Sequence, residues 1–354
     1  MRVLHFIPSL GPGGAERQLS LLAPALKKNG AECAIAYNEG GPNLAPILKT
    51  GVVLHQLPTR GTHDVRRFFD MLAFAKRWQP DVIQTWLTQM DVIGAGVSGV
   101  LGIPHFLSER SSRLAYPTGW KTSLRVFAGR HASAIVANSK AGAEYWREQS
   151  VSCPISVISN VLSPSRHDPS PADEQPLGRF IIFAGRLSFE KNLPNLIRGI
   201  TKALDTQRDC HALLFGEGPM RTEVADIIAA SAHHERIQMR GYSESLGGWM
   251  AKASALVAVS DFEGHPNVII EAAAAGCPLI LSDIPAHREI FASSEAQFVD
   301  GHDPFDIARG ILHVLNNSQK AQQMAKSAAS VLNDCQIDTQ ISKYMQLYQS
   351  AISR

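Results

Sequence analysis

The 354-residue chain has no apolar run approaching the ~20 residues that a membrane-spanning helix needs. Nor does it open like a secretory leader. MRVLHFIPSL carries one Arg and a short apolar stretch that soon meets Pro8, which reads as a first strand. Cysteine is sparse: Cys33, Cys153, Cys210, Cys277 and Cys335 lie far apart and make no CxxC pair. They fit reduced thiols in a cytoplasm better than a disulfide framework or a zinc site. There are no internal repeats or low-complexity tracts. A dominant charge is missing too, since 34 Lys and Arg against 32 Asp and Glu leave a net of +2. No nucleic-acid partner is expected.

What is present is an ordinary globular composition, 45% hydrophobic, in a chain long enough for two domains with full cores. The balanced charge hides an asymmetry. Residues 1–165 hold 17 basic against 10 acidic side chains, and residues 166–354 hold 17 against 22, giving +7 and −5. Either the first half meets something anionic, or solvated faces are distributed this way by chance.

Short apolar, β-branched runs alternate with helical patterns along the chain. In the first half the expected strands are Val3–Ile7, Cys33–Tyr37, Val53–Leu57, Val82–Thr85, His105–Ser108, Ala134–Ala137 and Ile155–Ile158. In the second they are Phe180–Ala184, Ala212–Phe215, Ile237–Arg240, Leu256–Val259, Leu279–Ser282 and Gln297–Val299. Continuous apolar strands separated by helices predict parallel sheets covered on both faces, an α/β fold. The rhythm restarts after SPSRHDPSPADEQPLG, the best linker in the chain. The expectation is two doubly wound, Rossmann-like domains facing across a cleft, residues 1–165 and 179–335 with a linker at 166–178. A C-terminal helix at 336–354 is expected to pack back toward the first domain. Ligands of such sheets bind beyond the carboxyl ends of the strands.

One such end carries EGHPNVIIEAAAAGCP, with Glu263 and Glu271 eight positions apart. Pro266 suits a first helical position, and Gly276 followed by Pro278 marks the stop, so a helix is expected from about Pro266 to Ala275. Its first turn, near Asn267 and Val268, offers backbone N–H groups to an anion. A carboxylate accepts paired hydroxyl donors, as a sugar or ribose presents them. The plainer alternative is a capping Glu263 and a bridged Glu271.

This stretch resembles the E-x7-E signature of retaining GT-B glycosyltransferases of family 4 (glycosyl transferases group 1). The resemblance covers nearly the whole chain and is strongest from 180 to 290. It implies that Glu271 holds the ribose and Glu263 the donor-sugar hydroxyls, while His265 and the Asn267–Val268 backbone meet the sugar or diphosphate. FIIFAGRLSFEKNLPNLIRGI is similar to the family's cationic run, which implies that Arg186 and Lys191 beside Gly185 stabilise the leaving diphosphate. Two cations at a strand end suit that task, with arginine able to bind two oxygens at once. LLFGEGPMR places Gly216 near the nucleotide, and MRGYSES puts Tyr242 where relatives bind the base. The implied activity is transfer from a nucleotide-diphosphate sugar to a glycan or polyprenyl-diphosphate-linked acceptor, a hexosyl or N-acetylhexosaminyl transfer in surface polysaccharide biosynthesis.

In the first half, SLGPGGAERQ follows the first strand and opens a helix, so Gly13 and Gly14 permit close approach and the helix start suits an anion. A dinucleotide fingerprint is the rival there, making the chain an NAD-dependent oxidoreductase that uses Gly11, Gly13 and Glu39. Its third glycine is replaced by Glu16. A non-catalytic nucleotide-sugar-binding paralogue is the other rival. Many family members have a histidine after the fifth strand, where IPHFLSERSSR has Glu109 beside Arg110. One of these two is expected to orient acceptor or donor, with a salt bridge between loops as the alternative. His105 reads as packing, and Trp86 holds another position that is histidine in many relatives. No D-x-D motif occurs, and Arg186, Lys191 and helix amides can neutralise a diphosphate, so no cofactor and no metal is expected.

YPTGWKTSLRVFAGRHA interleaves Trp120, Leu124 and Phe127 with Lys121, Arg125 and Arg130, and RRFFDMLAFAKRWQP mixes aromatics and cations likewise. Such helices suit the inner membrane surface or a lipid phosphate, and equally an amphipathic helix packed on its sheet. The expected location is cytoplasmic, peripheral on the membrane's cytoplasmic face.

Overall fold

A computed structural model describes residues 1–58, 64–162, 178–243 and 245–353. The proposed linker lies almost wholly outside the described residues. The chain divides into two compact units, Met1–Val161 with Asp334–Arg354, and Leu162–Asn333.

The first unit runs β1 (Arg2–Ser9), α1 (Gly14–Lys28), β2 (Glu32–Glu39), β3 (Val53–Gln56), α2 (Arg66–Trp78) and β4 (Val82–Trp86). It continues through α3 (Thr88–Leu101), β5 (His105–Glu109), α4 (Trp120–Arg130), β6 (Ala134–Ala137), α5 (Lys140–Glu148) and β7 (Ile155–Val157). Its seven strands pair in the order β3-β2-β1-β4-β5-β6-β7, with every pairing parallel.

The second unit runs β8 (Arg179–Ala184), α6 (Leu193–Leu204), β9 (Cys210–Phe215), α7 (Arg221–Ala229), β10 (Ile237–Gly241) and α8 (Leu246–Lys252). Then come β11 (Ala255–Ala258), α9 (Asn267–Ala274), β12 (Leu279–Ser282), α10 (Pro285–Arg288), β13 (Gln297–Val299), α11 (Pro304–Asn316) and α12 (Ser318–Ser330). Its six parallel strands follow the order β10-β9-β8-β11-β12-β13.

The architecture is the expected α/β one. The continuous apolar runs become strands because helices cover both faces, so alternate residues need no polar side. Ile181 and Ile182 on β8 are both buried, as are Leu256 and Val257 on β11. In each sheet the strand order reverses once, between β1 and β4 and between β8 and β11. At such a reversal successive loops leave in opposite directions and open a crevice at the strands' carboxyl ends.

One boundary differs from expectation. Pro266, with ψ of 85°, takes the position before α9 instead of its first turn, because that ψ is not helical. The stop is as read: Gly276 has φ of +73°, with Cys277 N–H donating to the Ala272 carbonyl and Gly276 N–H to that of Ala273.

The last helix, α13 (Ile337–Ile352), belongs to the first unit. Ile341, Tyr344 and Tyr348 pack with Leu19, Leu22 and Phe106. The Tyr348 hydroxyl is buried and donates to Gln84 Oε1 on β4. Among the described residues no helix is long and apolar enough to cross a membrane.

Candidate active site

The reversal in the second sheet lies between β8 and β11, and the charged residues gather there. The loop after β8 is shaped by contact with its neighbours. Gly185 N–H donates to the Phe215 carbonyl (3.0 Å), Leu187 N–H to Glu217 (3.0 Å), and Gly216 N–H to Gly241 (2.7 Å). The loops after β8, β9 and β10 thus interlock through their backbones. Gly216 has no substitute: its φ is +130°, and a Cβ there would sit 1.9 Å from the Gly185 carbonyl oxygen.

Beyond Gly185 a single turn of 3-10 helix, Phe189–Lys191, precedes Asn192, whose φ is 51° and whose amide is tied to the Gly301 carbonyl (2.8 Å). That turn delivers Lys191 across the switch point, where its ammonium pairs with Glu263 Oε1. The backbone reinforces the junction, with Asp261 N–H donating to the Glu190 carbonyl (2.8 Å). Glu263 also accepts from Ser260 Oγ (2.8 Å). Burial opposes its charge, but the Lys191 ammonium and its hydrogen bond, with the hydrogen bond from Ser260, hold the carboxyl below its ordinary range. The carboxylate is therefore ionised at neutral pH.

Behind Ser260 a polar relay reaches His287 on α10. Ser282 Oγ donates to the Ser260 carbonyl (2.7 Å), and His287 Nδ1 donates to the Ser282 carbonyl (2.8 Å). A carbonyl only accepts, so the bond fixes the proton on Nδ1 of the neutral ring. Burial pushes the imidazole's pKa down, so the ring is uncharged. Nothing in the sequence motifs pointed to His287. Its only local signal is its position one turn after a strand's carboxyl end. Ser260, Asp261, Ser282, Asp283 and His302 help line a cavity of about 370 Å³ at the ends of β11, β12 and β13.

The remaining residues expected at this site are placed as follows. Arg186 is exposed, with no side-chain ion pair or hydrogen bond among the described residues. Asn267 and Val268 form the first turn of α9, whose N–H groups lie outside the intrahelical ladder. Glu271 is half-buried one turn further on, His265 is buried, and Tyr242 is 54% exposed at the end of β10. One strand reversal therefore collects Lys191, Glu263, Ser260 and the Gly185–Gly216 contact.

The first unit departs further from expectation. Glu109 is fully buried, with Oε1 accepting from Ser111 N–H (2.8 Å) and the Tyr116 hydroxyl (2.6 Å). Oε2 accepts from Arg125 Nη1 (2.8 Å) and Trp146 Nε1 (2.9 Å). With no exposed surface and both oxygens engaged, Glu109 does not reach a substrate, so the catalytic role expected of it is corrected to an internal ion-pair anchor. Arg125 also bonds Asp91 (2.7 Å), which accepts from Thr85 (2.7 Å), and Thr85 meets His105 Nε2 (2.9 Å). Burial lifts the Asp91 carboxyl to about 6 despite Arg125. Arg110 stacks on Trp86, 4.2 Å from the ring centre, and bonds Asn160 (3.0 Å) and Tyr344 of α13 (2.8 Å).

The glycine loop after β1 is also altered. The Glu16 side chain folds back over Gly13, its Oε2 only 2.2 Å from where a Cβ would be, and it accepts from Ser9 Oγ (3.2 Å). A carboxylate thus stands at the α1 start beside Gly13 and Gly14, where an anion was expected. At the same reversal Leu87 has φ of 71°, a strained value for a leucine.

These sites can be set beside known proteins. The profile described as Glycosyltransferase Family 4 matches residues 12–166, and that described as Glycosyl transferases group 1 matches residues 178–317. The chain belongs to the GT-B glycosyltransferases. A lipopolysaccharide core biosynthesis glycosyltransferase, LpsD of Rhizobium meliloti, is 25% identical over 94% of this chain and 93% of its own. The Campylobacter jejuni N-acetylgalactosamine-N,N'-diacetylbacillosaminyl-diphospho-undecaprenol 4-alpha-N-acetylgalactosaminyltransferase is 27% identical over 47% of this chain and 46% of its own. Across three curated relatives, the Campylobacter protein among them, the matched part spans 19%, 46% and 60% of their lengths. In structure, Anabaena Alr3699/HepE in complex with UDP-glucose superposes with a TM-score of 0.87 at 18% identity, over 99% of this GT-B chain and all of that one. That likeness establishes the shared fold.

Proposed function

We propose that this GT-B chain transfers a sugar, with retention, from a nucleotide-diphosphate sugar to a glycan or lipid-linked acceptor in surface polysaccharide biosynthesis. The observation that carries the reading is the Lys191–Glu263 pair at the second unit's strand reversal, braced by Ser260 and flanked by exposed Arg186. Arg186 and Lys191 receive the diphosphate, and the first turn of α9 adds its N–H groups. Glu263, ionised and held in place, accepts hydroxyls of the donor sugar, and Glu271 those of the ribose. Tyr242 lies beside the base, with Gly185 and Gly216 giving the nucleotide close access to backbone.

In the transfer the anomeric carbon–oxygen bond breaks, and its electron pair leaves with the diphosphate. The acceptor hydroxyl adds to the same face, its proton passing to the departing phosphate oxygen. The developing phosphate charge is met by Arg186 and Lys191, so the reaction proceeds without a metal. The acceptor is bound by the first unit. Free thiols throughout the chain fit a reducing compartment, and we place the reaction in the cytoplasm.

Because a GT-B relative binds UDP-glucose, UDP is the first nucleotide to try. The test is thermal unfolding with UDP, GDP, ADP and NAD in the presence of a chelator. A ligand at ~100 times its dissociation constant adds about 2.7 kcal/mol of stability, a visible rise in melting temperature. A nucleoside diphosphate should stabilise the protein, and Glu271→Ala should remove that effect. Stabilisation by NAD alone would overturn the reading.

A further inference from the structure

We propose that α4 is a docking face for an anionic lipid bilayer. Trp120, Leu124 and Phe127 recur at helical spacing along one side of α4 and are 63%, 43% and 62% exposed. The opposite side faces inward and carries Arg125, Ala128 and Gly129. Arg125 is spent inside the unit on Asp91 and Glu109, so the exposed stripe is aromatic where the sequence alone suggested alternation with three cations.

Large apolar side chains in water on a helix that already has a buried face imply a further partner. The charge around them identifies its kind. From residue 110 to residue 143 the chain contains six Lys and Arg and no Asp or Glu. Although Arg125 is neutralised inside the unit, Arg113 pairs with Glu148 and Arg110 bonds Tyr344, Lys121 and Arg130 remain on α4 itself. Lys121 lies 5.6 Å from the Trp120 ring centre, and among the described residues Arg130 bonds the Gln149 carbonyl and no carboxylate, so both keep their positive charge beside the stripe. Helices α3 and α2, packed in turn beside α4, add exposed Val100 and Phe69. Tryptophan and phenylalanine flanked by uncompensated cations match the boundary between acyl chains and anionic headgroups. A protein partner of opposite charge would not by itself need a row of apolar side chains.

This inference rests on the first unit alone and stands whether or not the chain transfers a sugar. The full chain is floated with vesicles of phosphatidylcholine, with and without phosphatidylglycerol. It should bind the anionic vesicles, less so at high salt. Trp120→Ser combined with Phe127→Ser should cut partitioning by at least about tenfold, because burying each large apolar side chain is worth more than that factor. Lys121→Glu should also weaken it. Melting temperature and turnover of a water-soluble acceptor should be unchanged in all variants. Failure of the wild-type chain to bind, or equal binding by the double variant, would overturn the proposal. So would a wild-type dimer that the double variant dissociates, since the stripe would then be an interface between copies.

Discussion

Glu109→Ala separates an internal anchor from a catalytic group. The substitution removes one of the two carboxylates paired with Arg125 among the described residues and leaves Asp91, while Arg125 is 1% exposed. Breaking a buried ion pair from one side costs about 3–5 kcal/mol, and the hydroxyl of Tyr116 and the indole N–H of Trp146 are orphaned at about 1–3 kcal/mol each. These losses share one cavity and do not add, so about 4 kcal/mol is the working figure. For a unit of this size each kcal/mol moves the melting temperature by about 2–4 °C, giving a fall of about 8–16 °C. Melting is followed by circular dichroism, and turnover is measured well below the lowered midpoint. There the variant should retain most of its activity. Glu109→Gln, which keeps acceptors for Tyr116 and Ser111, should fall less far. An unchanged melting temperature with turnover abolished would show that Glu109 meets substrate and that the packing argument is wrong.

Three more perturbations test other parts of the structure. Gly216→Ala places a methyl against the Gly185 carbonyl at a φ costing about 1–3 kcal/mol, so melting should fall and nucleoside diphosphate binding weaken by about tenfold or more; calorimetry showing wild-type affinity would refute the interlocked loops. Lys191→Met removes the charge that outweighs burial at Glu263, so the acid limb of kcat/KM should move to higher pH while kcat drops roughly 10²–10³-fold, and an unmoved limb would detach the two residues. Stability should fall on the acid side. Burial, with Arg110 nearby, pushes His5 to about 3, and burial pushes His105 to about 4. Their contribution is present above pH 6.5 and is lost as pH falls through 4 toward 3. Asp91, raised to about 6, acts oppositely as pH drops from 6 toward 4 but offsets one proton against two. Melting temperatures that stay flat from pH 7 to about 4 would contradict this sign.

The strands were legible because burial on both faces leaves uninterrupted apolar runs, and Ala134–Ala137, Leu279–Ser282 and Gln297–Val299 fall where the sequence put them. Most residues expected at the second unit's candidate site sit in two short segments, 185–191 and 260–271, that adjacent strands β8 and β11 bring together, with Gly216 and Tyr242 following β9 and β10. What sequence could not give was direction and company. Glu109 looks like a strand-end carboxylate until Tyr116, Arg125 and Trp146, from three separate segments, close over it. Arg125 read as a surface cation because helical spacing alone does not say which side of α4 meets the core. His287 reaches its place through the carbonyls and hydroxyls of Ser260 and Ser282, a relay invisible until β11 and β12 lie side by side.

The position of α13 has a consequence for how the molecule is made. Tyr344 and Tyr348 fill the core around Phe106 and satisfy Arg110 and Gln84, yet the ribosome delivers them after the whole of the second unit. Without α13 the first unit lacks the side chains that pack on Leu19 and Leu22 of α1, and Gln84 keeps Ser108 but loses the Tyr348 hydroxyl. The second unit is contiguous from Leu162 to Asn333 and is complete earlier. The order of synthesis is thus the reverse of the order of completion: the part begun first is finished last.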